Sequence, residues 1–305
     1  MKGFIFSRRF FIPFLIVLAG HMAWFCYRMY SLYKPDLVNK GLPSAVLWKW
    51  TWYNATGSFL LYGFLSGFVT GITFYSHYRY RKDRIGFRPF SVVNTSLLLA
   101  IAVAGFLYSS FGVPRQLFKA RILLNDIVYA RSYEEFSKLA KDTIRPIKSE
   151  ATMTLPELYR HRLSVKKGES LEGNFLFPGI QNKTLNKVRL AIAEKYTTAL
   201  LIILFGIAGI FCGLSFYKVR VIVPLLISYF AVFTGWFYCN RLFVWQYKYG
   251  NAGLVTGAFG ASLLLLLILA GWYLGLRKYG AFKTAASPLS IDFDKDSAAG
   301  VGEKM

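Results

Sequence analysis

The chain has 305 residues, of which 55% are hydrophobic and 18% aromatic, and it carries a formal net charge of +22. Residues 200–213 and 263–269 contain no charged side chain, whereas a water-soluble domain alternates apolar with polar residues. The positive charge lies mainly in loops that flank apolar stretches, and no DNA-binding motif or zinc-ligand spacing accompanies it. The composition therefore excludes an ordinary water-soluble domain and argues against a nucleic-acid partner.

Six apolar stretches are long enough to cross a bilayer as helices, which takes about 20 residues. Backbone polar groups in lipid must be satisfied within the segment, and the stretches lack the alternation of barrel strands. We therefore predict an all-α polytopic membrane protein with six transmembrane helices, three on each side of a hydrophilic insert. The stretches are residues 10–30, 57–76, 91–112, 197–216, 219–239 and 253–276.

The first span follows a basic N-terminus and is too long for the apolar core of a signal peptide, so we expect it to be retained. His21 and Arg28 are seven residues apart and share one face of this helix, and Lys34 follows. One hypothesis is a polar stripe that lines a cavity for an anionic lipid headgroup. The alternative is a buried hydrogen bond for His21 and an arginine that extends to the membrane surface. Arg241, after the fifth span, allows the same two interpretations.

Glycines recur at four-residue spacing in the second and fourth spans, which places them on one helix face where backbones can approach closely. Two interpretations remain open, namely packing between helices of this chain and packing against another subunit. The glycines are Gly63, Gly67 and Gly71 in the second span, and Gly209 and Gly213 in the fourth.

The basic residues that flank the spans are distributed unevenly, with 15 on the side of the N-terminus and six on the other when the insert is left aside. The positive-inside rule then predicts cytoplasmic termini and an insert that faces outward, into the periplasm of a Gram-negative cell. The loop between the second and third spans, HYRYRKDRIGFRPFS, lies on the cytoplasmic side. Its candidate coupling residues are Arg79, Arg81, Lys82, Asp83 and Arg84.

The hydrophilic insert, residues 113–196, has the pattern of a mostly helical domain. Gly168 favours a helix end, residues 171–178 are the one short extended stretch, and residues 185–196 are expected to continue into the fourth span. Two capping boxes mark helix starts: Ser132 with Glu135, and Thr154 with Glu157. The resulting domains are 1–112 and 197–280 in the membrane, 113–196 in the periplasm, and a disordered cytoplasmic tail at 281–305.

Catalytic and cofactor-binding motifs are missing from the sequence. It has no G-x-x-x-x-G-K-[ST] loop for ATP phosphates, and no G-x-S-x-G or H-E-x-x-H motif. His21, His77 and His161 lack metal-ligand spacing, and the three cysteines all lie in apolar spans. We expect neither an enzyme nor a cofactor or metal protein, so any energy from ATP would come from a partner.

Several stretches of the chain resemble the LptF/LptG (YjgP/YjgQ) permeases, the membrane subunits of the lipopolysaccharide-export ABC transporter. SRRFFIPFLIVLAG and GSFLLYGFLSGFVTGITFYSHYR resemble the first two helices of that family, and SSFGVPRQ resembles its exit into the periplasm. MTLPELYRHR is similar to the segment that follows its periplasmic domain. The last three helices are matched by LNKVRLAIAEKYTTALLIILFGIAGIFCGL, YFAVFTGWFYCNRL and GLVTGAFGASLLLLLILAGWYLGLRK.

The resemblance implies a permease subunit in the bacterial inner membrane that moves lipopolysaccharide or a related anionic lipid. It further implies a cytoplasmic ATPase and a second six-helix subunit, either a paralogue or a second copy, with the first and fifth helices lining one opening. Two alternatives stay open: a non-transporting membrane scaffold and an unrelated small-solute transporter.

The chain departs from the family pattern in two places. Family members carry a β-jellyroll after the third helix, but residues 113–152 are too few for eight strands of about five residues plus turns. The family's cytoplasmic coupling loop is acidic, whereas the corresponding loop here has Asp83 as its only acid. The lipid-passing bridge is therefore expected to be absent or replaced by helices, and docking on the usual ATPase is in question.

Overall fold

The structure is a computed structural model that describes residues 7–82, 87–130, 133–139, 148–170, 173–174, 178–230, 235–250 and 252–278. Helices dominate these residues, and a hairpin of two antiparallel two-residue strands, β1 (Glu169–Ser170) and β2 (Gly173–Asn174), adds the extended structure. The helices are α1 (Arg8–Asn39), α2 (Ser44–Asn54), α3 (Leu60–Lys82), α4 (Val92–Leu107), α5 (Val113–Tyr129), α6 (Tyr133–Leu139), α7 (Leu155–Lys166), α8 (Pro178–Ser215), α9 (Ile222–Ile227), α10 (Gly235–Lys248) and α11 (Leu254–Lys278).

The described helices include five that are long and apolar enough to cross a membrane, or six when one bent pair is counted as a span. The bent pair consists of Ser44–Gly57 and Leu60–Lys82, which meet at 54° across a π-helical turn at Ala55–Phe59. The other candidates are Arg8–Pro35, Val92–Tyr129, Gln181–Ser215, Ile222–Lys248 and Leu254–Lys278. The all-α class fits the described residues, and five to six of their helices have the length and composition of membrane spans.

Helix α8 forms the centre of the bundle. In the most apolar 18-residue stretch of α8, 78% of the residues are buried, compared with 6% in the corresponding stretch of α1. The side chains of Ile202, Leu204 and Phe205 are fully enclosed, and α3, α4 and α11 pack around them. Because α8 has little free surface, the helices around it must supply most of what the protein presents to lipid.

Glycines on α3 let α1 approach it closely. A Cβ atom at Gly67 would lie 2.7 Å from the carbonyl oxygen of Phe14, and one at Gly71 would lie 2.8 Å from that of Phe10. Gly63 stands in the same row, against Leu18. These distances are too short for a side chain, so the row acts as the contact between α1 and α3.

A second glycine row lies on α8 and faces α3. A Cβ atom at Gly213 would lie 2.7 Å from the carbonyl oxygen of Thr73, and one at Gly209 would lie 3.0 Å from that of Val69. The glycine rows on α3 and α8 thus pack helices of the same chain against each other, which is one of the two interpretations that the sequence leaves open.

The helices continue past the apolar core at the end of the bundle where the insert lies. The helix of the third span runs on through a π-helical turn at Tyr108–Gly112 into α5, and α1 reaches Asn39, well beyond the expected span end at residue 30. Helices α2, α5 and α6 enclose a small core of their own, which we call the head. Its buried residues are Leu42, Leu47, Trp50, Ala120, Ile127, Ala130 and Phe136.

Helix α7 packs beside the head, against the first half of α8, and begins as the sequence predicts. The carboxylate of Glu157 accepts hydrogen bonds from the backbone N–H of Thr154 at 2.8 Å and from its hydroxyl at 2.9 Å. Lys148 adds an ion pair to the same carboxylate at 2.6 Å. Gly168 ends the segment with a φ of 85°, a left-handed conformation suited to glycine. The other expected capping box includes Ser132, which lies outside the described residues.

Replacing Gly67 or Gly213 by alanine is expected to lower the stability of the purified protein by about 1–3 kcal/mol, because the new methyl group would overlap a backbone oxygen. A methyl group at Gly271 in α11 would meet no atom within 4 Å, so this position provides the control. Gly271→Ala should leave the unfolding temperature unchanged or raise it, since alanine favours helix. Equal unfolding temperatures for Gly67→Ala and Gly271→Ala would contradict the close contact.

The start of α7 is expected to lose stability in acid. Burial raises the pKa of Glu157, but the hydrogen bonds from Lys148 and Thr154 and the charge of Lys148 outweigh it, so its pKa lies below the ordinary 4.5. A lowered folded-state pKa means that the stabilisation is present above pH 4.5 and is lost as pH falls through the folded-state pKa. Hydrogen-exchange protection of the first turn of α7 should therefore fall in that window.

Glu157→Gln should reduce this protection at neutral pH and remove most of its acid dependence. Glu134→Gln, at an exposed position in α6, is the matched control and should change neither. An unchanged acid response in Glu157→Gln would show that another group governs the start of α7.

Candidate functional site

His21 joins the first span to the fifth. Its Nε2 atom lies 2.7 Å from the hydroxyl oxygen of Tyr229, and its Nδ1 atom lies 2.9 Å from the carbonyl oxygen of Val17. Because a carbonyl oxygen can only accept, Nδ1 carries the hydrogen of the neutral ring, and Tyr229 donates to Nε2. Polar side chains within apolar spans cost free energy unless they form hydrogen bonds, and His21 and Tyr229 bond to each other.

Arg28 and Lys34 lie further along α1, towards the insert end of the bundle, and both are exposed. The guanidinium of Arg28 lies 5.4 Å from the ring centre of Trp24, and the ammonium of Lys34 lies 5.9 Å from that of Tyr30. Each cation therefore lies over an aromatic ring of its own helix, and its charge remains accessible to an anion.

Arg241 occupies a different position, in the middle of α10. Its guanidinium lies 5.0 Å from the ring centre of Phe237, which packs edge-on against Tyr62 of α3 at 6.2 Å. Glu194 of α8 acts on the same tyrosine hydroxyl electrostatically, as does Arg241. The charge of Arg241 thus belongs to a polar junction of α3, α8 and α10.

Tyr229 and Glu194 were missed by the sequence reasoning. Glu194 carries a usable signal, since it is an acid at the entrance to a long apolar helix. Tyr229 carries no such signal, because an aromatic residue within an apolar span is ordinary and only the fold brings it to His21.

The candidate coupling residues that the structure describes lie in the last turn of α3, at the opposite end of the bundle. Arg79, Arg81 and Lys82 are exposed, whereas Tyr80 between them is buried against Phe87 and Tyr217. Lys218, Arg220, Arg277 and Lys278 are exposed where the neighbouring helices end at the same side. The two other candidate coupling residues, Asp83 and Arg84, lie outside the described residues.

His77 and Cys212 each bond to a backbone carbonyl oxygen of the segment that follows α8. The Nε2 atom of His77 lies 3.0 Å from the carbonyl oxygen of Val219, and the thiol of Cys212 donates to that of Pro224 at 3.2 Å. Among the described residues, no three side chains of histidine, cysteine, aspartate or glutamate form a group that could hold a metal ion.

A double-mutant cycle on His21→Leu and Tyr229→Phe should give a coupling energy of about 0.6 kcal/mol, and at most about 1.7, typical of hydrogen bonds between transmembrane helices. Reversible unfolding in mixed micelles would measure it. Tyr27→Phe, at an exposed position further along α1, should show no coupling with His21→Leu. Zero coupling in the His21–Tyr229 cycle would contradict the bond between the first and fifth spans.

Comparison with protein-family models, curated proteins and solved structures gives no match for this chain. Its own geometry therefore carries the functional argument: a helical membrane bundle whose first helix is largely uncovered and bears accessible cations at the insert end.

Proposed function

We propose that the chain is a permease subunit of the LptF/LptG kind, which helps to move lipopolysaccharide or a related anionic lipid out of the bacterial inner membrane. In this proposal six spans cross the membrane, both termini are cytoplasmic, and the insert lies in the periplasm. The observation that carries it is the combination on α1 of an open apolar surface with accessible cations at one end.

The surface of α1 that faces away from α3 is apolar along most of its length. Ile12 and Ile16 are 56% and 66% exposed, and Phe11, Leu15 and Trp24 are exposed as well. In a bilayer this surface faces lipid or a second six-helix subunit, because water is absent at that depth. An apolar wall that ends in Arg28 and Lys34 is complementary to an amphipathic lipid with an anionic headgroup.

The weak contact between the first and fifth spans supports an opening that could form between these two helices. The resemblance implies that these two helices line one opening, and the described contacts between them include the hydrogen bond from Tyr229 to His21. Breaking such a bond costs about 0.6–1.7 kcal/mol, which is small enough for reversible separation. The two spans could therefore part without unfolding the bundle.

Energy for transport would come from a separate ATPase, since the sequence lacks a phosphate-binding loop. The exposed cations Arg79, Arg81 and Lys82 would face that partner. Their charge requires an acidic docking surface on the ATPase, opposite in sign to the arrangement in the family. The second membrane subunit would be a paralogue or another copy of this chain.

A membrane scaffold that does not transport lipid is the second candidate, and the head favours it. Where the family has a jellyroll, the described part of this insert consists of helices, with a hairpin of two-residue strands. A lipid that leaves the bundle would find no β-sheet bridge in that described part. Copurification separates the candidates: a permease should bring a stoichiometric ATPase whose turnover responds to lipid, and a scaffold should bring none.

Replacing Arg28 and Arg241 together by alanine should weaken lipid crosslinking to a photoreactive residue placed at Ile16. Each basic residue near an anionic surface contributes about 1 kcal/mol, so two should change the crosslinking yield about thirtyfold. The double variant Arg79→Ala/Arg81→Ala, at the opposite end of the bundle, is the charge-matched control. Unchanged crosslinking in Arg28→Ala/Arg241→Ala would reject the headgroup role of these cations.

A further inference from the structure

The head contains a pocket of about 400 Å³ between the end of α1, helix α2 and the second half of α5. This volume is within the range of small-molecule sites, about 300–1,000 Å³. At about 30 Å³ for each group the size of a water molecule, this volume corresponds to roughly 13 such groups. The lining residues are Tyr33, Asn39, Lys40, Leu47, Trp50, Leu124, Ile127 and Val128.

Apart from Asn39 and Lys40, the walls of the pocket are mostly apolar, and the head core holds them in place. Leu47 and Trp50 are buried on α2, and Ile127 is buried on α5. The ring of Tyr33 packs edge-on against Trp50 with their centres 4.6 Å apart, which holds the α1 side. Leu124 completes the wall from α5. Cavities with such linings take apolar ligands in preference to water.

A lysine marks the mouth of the pocket. The ammonium of Lys40 donates to the carbonyl oxygens of Ile127 at 2.8 Å and Val128 at 3.0 Å, in the last turn of α5. These bonds hold the ammonium beside the pocket, and among the side chains that the structure describes no carboxylate forms an ion pair with it. An ammonium has three N–H donors, so one remains for a ligand.

We propose that this pocket binds one alkyl chain of an anionic amphiphile, with the chain against Leu47, Trp50 and Leu124 and the anionic group on Lys40. Fatty acids and single-chain alkyl phosphates share this chemistry. The inference goes beyond the proposed lipid export, since contacts among α1, α2 and α5 define the site whether or not the chain transports lipid.

Native mass spectrometry of the full-length protein, held in a polymer amphiphile without alkyl detergent, would test the site. Dodecanoate and dodecyl phosphate should each bind with one copy per chain. Dodecanol, which lacks the charge, should bind about tenfold more weakly, and inorganic phosphate should not bind. Equal binding of dodecanol and dodecyl phosphate would overturn the role of Lys40, and no binding of any alkyl probe would overturn the site.

Two variants distinguish the contribution of the apolar wall to binding from the contribution of Lys40. Leu124→Trp should fill the pocket and reduce binding of both alkyl probes at least tenfold, whereas Tyr129→Trp, at an exposed position on the same helix, should not. Lys40→Gln should reduce dodecyl phosphate binding to the level of dodecanol and leave dodecanol binding unchanged. Wild-type binding in Leu124→Trp would place the ligand elsewhere and overturn the proposal.

A smaller side chain tests the same wall if Leu124→Trp fails to fold. Leu124→Ala should enlarge the pocket and shift the preference from dodecanoate towards hexadecanoate, and an unchanged preference would overturn the proposal. Crosslinking at Ile16 in the membrane should be unaffected by Leu124→Ala. Failure of the head site and failure of the membrane lipid surface would thus be seen in different measurements.

Discussion

Close backbone contact of α3 with two neighbours is the constraint on which the bundle depends. Lipid provides no hydrophobic force between transmembrane helices, so van der Waals packing and a few hydrogen bonds must hold them together. Gly67 of α3 and Gly213 of α8 allow that packing, because a Cβ atom at either position would lie 2.7 Å from a backbone oxygen of the neighbouring helix. Helix α8 can then lie at the centre, enclosed by α3, α4 and α11.

The same constraint leaves α1 attached mainly through one face. Its glycine-facing side is joined to α3, and on the same side His21, which lies against Gly63 of α3, bonds to Tyr229 of the fifth span. Its remaining apolar surface stays uncovered, with Arg28 and Lys34 at the insert end. A helix held in this way can present a surface to lipid while the rest of the bundle stays packed, which is the physical basis for the proposed permease role.

The head arises because the helices do not stop where their apolar stretches end. Helix α5 continues the third span through a π-helical turn, and α1 continues to Asn39, so the two can meet α2 outside the apolar core. Their side chains enclose a second, smaller core with an apolar pocket and a lysine at its mouth. The sequence-based boundary at residue 112 marks a change in composition, and the helix itself is continuous there.

The sequence by itself determined the helical class, the presence of several helices long and apolar enough to cross a membrane, the capping box at Thr154, and the continuous helix through residues 185–196. Each of these depends on local composition or short spacing, which the chain displays directly. The pairing of His21 with Tyr229, the grouping of Tyr62 with Glu194 and Arg241, and the pocket beside Lys40 were decided by the tertiary structure alone. They join residues that are far apart in the chain, and only the packing of α1, α3, α5, α8 and α10 brings those residues within reach of one another.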